Sequence, residues 1–180
     1  MANFIWDNIF KTTGKDQTIR KALRENILFK DLNLRELLML EKIVNVRQYR
    51  QGEMIFNQGE VGVGMYLIVS GAVDIYVEKI KTTKGHTEVA EPEQTFITQL
   101  TDNAFFGELA LVEQEGRRTA LAIAHKETTL IGFFKPDLVE VVERNPSAGV
   151  KILLRLGEVL GNRLHQTTSR ITELQQGLAK

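Results

Sequence analysis

The chain has 180 residues and no cysteine, and its 23 Lys and Arg balance its 23 Asp and Glu. That length suits one domain with a buried core, and with zero net charge nothing advertises a nucleic-acid or anionic-membrane partner. Without cysteine there are no disulfides, thiolate metal sites or cysteine-held iron–sulfur clusters, which fits the cytoplasm. No apolar run reaches the ~18 residues of a transmembrane helix, and the N-terminus lacks the basic-then-apolar layout of a secretion signal.

Phe4, Ile5, Trp6, Ile9 and Phe10 have helical spacing and predict a short helix that docks on the body or on a partner chain. A polar break at Thr12 to Lys15 separates it from a second helix over 16–25. Asn33, with Glu36 three residues on, has the layout of a capping box and opens a helix through Leu34, Leu37, Leu38 and Leu40. From Val44 the pattern changes to short apolar runs at 44–49, 54–56, 65–69 and 72–77, divided by turns at Gly52, 57–60 and Ser70-Gly71. Residues 79–94 are polar and read as a long hairpin loop, after which strands resume at 95–100, 121–124 and 128–134. Short strands bounded by glycine at this spacing predict an antiparallel sandwich or barrel.

Pro136 at a first helical position opens a helix over 137–143, and Asn145-Pro146 stops it. From Ser147 to about Gln176 runs one helical pattern, ~45 Å long at 1.5 Å per residue. Val150, Leu153, Gly157, Leu160, Leu164, Thr167, Ile171, Leu174 and Leu178 recur in steps of three and four, as in a heptad seam. Ile152, Leu156 and Val159 form a second stripe. Two apolar faces predict a helix that packs on its own domain and on a second copy, a homodimer through Val150 to Leu174.

Before the closing strands lies Phe105 to Ala122, FFGELALVEQEGRRTALA. A tight helical turn entered at Gly107 lets backbone N–H groups come close to a ligand. Arg118 adds a planar fork matched to two phosphate oxygens. Glu108, an acceptor only when ionised, suits a hydroxyl beside that phosphate, and the small Thr119 and Ala120 leave room. Read singly, Glu108 is an ordinary helix-start carboxylate and Arg117-Arg118 a solvated pair. The full constellation favours an anion site.

The stretch resembles the phosphate-binding cassette of the cyclic-nucleotide-binding domains, roughly F-G-E-[LIV]-[AG]-L, a variable loop, then R-[AST]-A. The resemblance implies that Glu108 takes the ribose 2′-hydroxyl and Arg118 the cyclic phosphate, with Phe106, Gly107, Leu109, Ala110, Thr119 and Ala120 around them. Gly59 to Gly71 is similar to the family's G-[DE]-x-G-D-x-x-Y-x-[IL]-x-x-G, with Val63 in place of the Asp, and this places Gly71 close to the ribose. Asn103 departs from the family's Gly-Asp before the cassette. The likeness runs over about 28–176 and narrows to the catabolite-activator type of bacterial regulator at Arg155-Leu156 and Arg163-Leu164. That type implies that Thr167 and Thr168 touch the adenine from both subunits. Leu121 stands where cGMP-selective relatives carry Thr or Ser, which leans towards cAMP.

The reading is therefore a mainly β protein with flanking α-helices: a helical extension over 1–27, an antiparallel jelly-roll β-roll over 28–146, and a long dimerisation helix over 147–180. It implies a cyclic-nucleotide receptor, cAMP favoured over cGMP, that relays occupancy through the C-terminal helix to an unnamed protein partner. No catalytic residue, metal or cofactor is expected: His86, His125 and His165 fall in three different elements without H-x-x-x-H spacing. No helix-turn-helix follows before Lys180, so DNA binding by this chain is not expected. The alternative is a dimeric interaction scaffold of the same fold whose pocket is empty or takes another small anion. A complete Glu108 and Arg118 set weighs against it, because burying an unpaired Arg is costly.

Overall fold

The computed structural model describes residues 17–79 and 93–178; the aromatic N-terminal segment and most of the loop read over 79–94 lie outside them. Helix α1 is helical over 17–25, and α2 spans Leu34–Ile43. The start of α2 is the reciprocal cap that the sequence spacing predicts. The Glu36 N–H donates to Asn33 Oδ1 at 3.0 Å and the Asn33 N–H donates to the Glu36 carboxylate at 2.7 Å, satisfying two end groups at once.

Eight strands follow: β1 Asn45–Tyr49, β2 Met54–Phe56, β3 Gly64–Ser70, β4 Ala72–Lys79, β5 Glu93–Thr101, β6 Phe105–Phe106, β7 Leu121–Ala124 and β8 Thr128–Phe134. They form two antiparallel sheets, ordered β1-β8-β3-β6 and β2-β7-β4-β5. The partners nest, β1 with β8, β2 with β7, β3 with β6 and β4 with β5. The chain is thus one long hairpin wrapped into a jelly-roll. The two-residue β6 is too short to show as a run in the sequence. Asn103, in the turn before it, has φ 66°, and an Asn tolerates this left-handed conformation where most residues do not. That accounts for its standing where the family often has glycine.

Strand period two decides where the cores lie. On β3, Tyr66 and Ile68 point into the roll with Phe106, Ala122 and Leu130. Met65 and Leu67 point out of it, with Ile131 and Phe133 of β8, and are covered by helices. The covering layer is α1, α2, α3 (Lys135–Arg144) and the first half of α4 (Pro146–Leu178). Asn145 both ends α3 and caps α4, its Oδ1 accepting from the Ala148 N–H at 3.1 Å.

The second apolar stripe of α4 does pack on its own domain. Ile152, Leu156 and Val159 are buried, each contributing about 1.5–3 kcal/mol. Lys151 pairs with Glu36 and Arg155 with Asp31, tying the same half of the helix to α2 and to the turn before it. Of the heptad seam, Val150, Leu153, Leu164, Ile171 and Leu174 are exposed, whereas Leu160 packs partly on the core. From 161 to 177 every side chain of α4 is exposed.

Candidate functional site

The nested wrap lays the segment between β2 and β3 against the segment between β6 and β7. The Gly59 N–H donates to the Arg118 carbonyl, the Arg118 N–H to the Glu60 carbonyl and the Gly62 N–H to the Gly116 carbonyl, each at 2.8 Å. Phe106 thus ends one arm, Arg118 lies on the return, and Phe56 comes from the opposite strand. Two glycines make the room. Gly107 has φ 77°, and a Cβ there would run into the Arg118 guanidinium. A Cβ on Gly62 would sit 2.8 Å from the Ala110 Cβ and 3.3 Å from Arg118 Cζ. Beyond Gly107 comes a single 3₁₀ turn, Glu108–Leu111, whose first N–H groups have no partner within the turn.

Arg118 is only 8% exposed. Its Nη1 donates to the Gly107 carbonyl at 3.1 Å, and its Cζ lies 4.2 Å from the centroid of the Phe56 ring. Among the described residues it forms no ion pair. Burial lowers its pKa, while Tyr66, Glu60 and Glu108 act in the opposite sense. Arg117, next to it, is exposed, donates to the Gly59 carbonyl at 2.8 Å and also lines the cavity.

Glu108 is 4% exposed and does not pair with Arg118. Its partner is Arg163 of α4, whose Nη1 donates to Glu108 Oε1. The same guanidinium donates through Nη2 to the Phe105 carbonyl at 3.3 Å and stands 5.0 Å over the Phe105 ring. The cavity between these groups measures about 280 Å³, just below the usual range for ligand clefts (roughly 300–1,000 Å³). Phe56, Ile75, Thr98 and Leu100 of the second sheet form its largely apolar wall. Three guanidiniums (Arg117, Arg118 and Arg163) and one carboxylate leave it net positive. It can hold an anion on Arg118, accept a hydroxyl on Glu108, and cover a flat apolar group against the sheet.

The structure brings Phe106, Gly107, Glu108, Leu109, Ala110, Arg118 and Thr119 together around this cavity. The remaining sequence-predicted residues lie elsewhere. Gly71, expected beside the ribose, forms the β3–β4 turn: its N–H donates to Asp102 Oδ1 at 2.9 Å, its φ is 118°, and a Cβ would come within 2.7 Å of the Thr128 Cα. It is glycine for the turn and for close packing. Ala120 is half-buried outside the cavity and Leu121 points wholly into the interior of the fold. Thr167 and Thr168 are exposed on α4, where their hydroxyls donate to the Arg163 and Leu164 carbonyls. Neither lines the cavity between Arg118 and Glu108.

The sequence reading missed Phe56, Ile75, Thr98, Leu100 and Arg163 as site residues, and within the cassette stretch it did not assign Phe105, Gly116 or Arg117, which also line the cavity. The first four sit in ordinary alternating strands and carry no local signal. Arg163 did stand out in the Arg-Leu repeat of the long helix, but nothing there pointed back to Glu108.

The segment that carries most of this cavity resembles known proteins. The family described as "Cyclic nucleotide-binding domain" matches residues 46–145. The "Cyclic AMP receptor protein" of Thermus thermophilus is 34% identical over 100 residues, covering 56% of this chain and 41% of that protein. A "cGMP-dependent protein kinase" of Plasmodium berghei is 30% identical over 141 residues, 75% of this chain and 14% of the kinase. The crystal structure of Thermus thermophilus catabolite activator protein superposes with a TM-score of 0.69 at 27% identity, covering 83% of this chain and 63% of that one. The chain spans less than half the length of these curated relatives.

Proposed function

We propose that this chain, which belongs to the cyclic nucleotide-binding domain family, is a cAMP-preferring receptor that relays occupancy through α4 and works as a homodimer. The observation that carries the reading is Arg118. A guanidinium this buried, without a carboxylate, is costly unless an anion completes it, and it faces a cavity of suitable size. The cyclic phosphate belongs on Arg118 and the ribose 2′-hydroxyl on Glu108, whose Oε2 is not the oxygen held by Arg163.

The base then lies against Ile75, Thr98 and Leu100. Adenine presents one amino donor beside one ring-nitrogen acceptor, and a hydroxyl, which both donates and accepts, suits that pair. Thr98 supplies one here, and Thr167 and Thr168 of a second copy would supply others. Guanine presents two adjacent donors, which a carboxylate would meet best, and the wall has none. The relay is supported by Arg163: it sits on the unpacked half of α4 and holds the carboxylate that the ribose would engage. The dimer is supported by the exposed Leu164, Ile171 and Leu174 on that half.

Calorimetric titration of the purified protein with cAMP and cGMP tests the reading. Both should bind, cAMP more tightly. A protein that takes up neither would return the fold to the scaffold alternative.

A further inference from the structure

Arg118 has five N–H donors, and the protein uses few of them. One goes to the Gly107 carbonyl, and no ion pair is formed among the described residues. No fully buried side-chain nitrogen or oxygen among those residues lacks a partner, so the unbonded nitrogens of Arg118 keep some exposure, and Arg118 lines the cavity. What then holds the guanidinium in place? Against it, 4.2 Å away, is the Phe56 ring, with Tyr66 further off at 6.0 Å. The Phe56 ring is itself held. It stacks on Tyr66 with centroids 6.2 Å apart, and packs on Phe106 at 5.7 Å, inside the roll.

A carboxylate in that place would neutralise Arg118 and occupy two of its donors. An aromatic face does neither: it attracts the cation through the ring quadrupole and takes no N–H. We propose that Phe56 is a positioning residue for the ligand's anionic group, its ring face carrying Arg118 with the guanidinium donors left free for phosphate. The inference rests on the cyclic-nucleotide reading of the cavity. It adds a residue from β2, some sixty positions upstream of the arginine it positions.

The test separates the electrostatics of the ring from its volume. Fluorination drains the negative face of phenylalanine while leaving its shape nearly intact. Mono-, di- and trifluorophenylalanine are therefore placed at position 56 of the full chain, and binding of cAMP is measured by calorimetry. Affinity should fall stepwise with fluorine number, by up to about thirtyfold in all, and the melting temperature of the free protein is followed alongside, because the ring already carries Arg118 before ligand binds and each variant must still fold. In an Arg118→Met background, measured at the higher protein concentration that weaker binding demands, the same series should be flat. Phe56→Trp should bind at least as well as Phe56→Leu, which keeps apolar bulk without the ring face and should bind several-fold more weakly than the parent.

A parent that binds while the fluorinated series binds equally well would overturn the inference and leave the function standing. A fluorine trend of the same size in the Arg118→Met background would also overturn it, since the ring would then act on something other than Arg118. A parent that binds neither cAMP nor cGMP would overturn the reading of the cavity and this inference with it.

Discussion

Arg117 and Arg118 are neighbours in sequence and both line the cavity, yet one is exposed and bonded to the Gly59 carbonyl and the other is buried against Phe56. Substitution should therefore separate them cleanly. A hydrogen bond to a charged group is worth roughly 1.5–3 kcal/mol, so Arg118→Ala should weaken cyclic-nucleotide binding about ten- to a hundredfold. Arg117→Ala should change it little, and calorimetry that ranks them the other way would show that the wrong guanidinium has been assigned to the phosphate. This part of the site was legible in the sequence because its chemistry is local: Gly107, Glu108, Arg118 and Thr119 lie within a stretch whose spacing is the signal. Phe56, Thr98 and Leu100 were not legible. Alternation tells which strand residues share a face, but only the nested pairing of β2 with β7 and β4 with β5 tells which faces meet around a cavity. Gly71 differs again. It matched a motif, and the structure uses it for a turn.

At the scale of elements, α4 carries two faces with different fates. The stripe through Ile152 and Leu156 was readable and packs as read, because a period near 3.6 fixes one face of a helix. The seam was readable as apolar, but its members are not equivalent. Leu160 leans on the domain's own core, whereas Leu164 is 69% exposed. A charge at 160 would damage the fold as well as any interface, so Leu164 is the clean probe. In a parallel homodimer Leu164→Glu sets like charges against each other across the seam. Sedimentation should then show a dimeric parent and a monomeric variant at micromolar concentration, with the two melting alike once dissociation of the parent is allowed for. A parent that sediments as a monomer would remove the seam's role in assembly. A Cβ at Gly157 or Gly161 would meet nothing within 4 Å, so packing within the chain requires glycine at neither position.

Across the whole molecule, the helical cover is tied together by charges that span the chain. Glu36 of α2 caps its own helix and also receives Lys151 of α4 at 2.8 Å, while Arg155 of α4 donates to Asp31. These contacts fix the near half of α4 and leave Arg163 as the described polar tie between its far half and the roll, so the helix is anchored at one end and answers to Glu108 at the other. The anchor has a pH signature. Burial pushes the Glu36 carboxyl up, but the Lys151 ammonium and the Asn33 N–H outweigh it and hold the group below its ordinary 4.5. A carboxyl depressed in the folded state stabilises fully above its unfolded value, and that contribution is lost as pH falls through the folded one. The parent should therefore keep this term at neutral pH and lose it progressively below about pH 4.5. Lys151→Met removes the partner and leaves burial opposed only by the cap. It should cost about 1–3 kcal/mol at neutral pH, or roughly 2–12 °C in melting temperature for a domain of this size. Without the ammonium, the Glu36 carboxyl loses its reason to stay ionised, so acid should penalise the variant less than the parent. The gap in melting temperature between them should narrow as pH is taken from about 7 towards 3. A constant gap would mean that Lys151 acts through its aliphatic stem against the core and not through the charge it brings to Glu36.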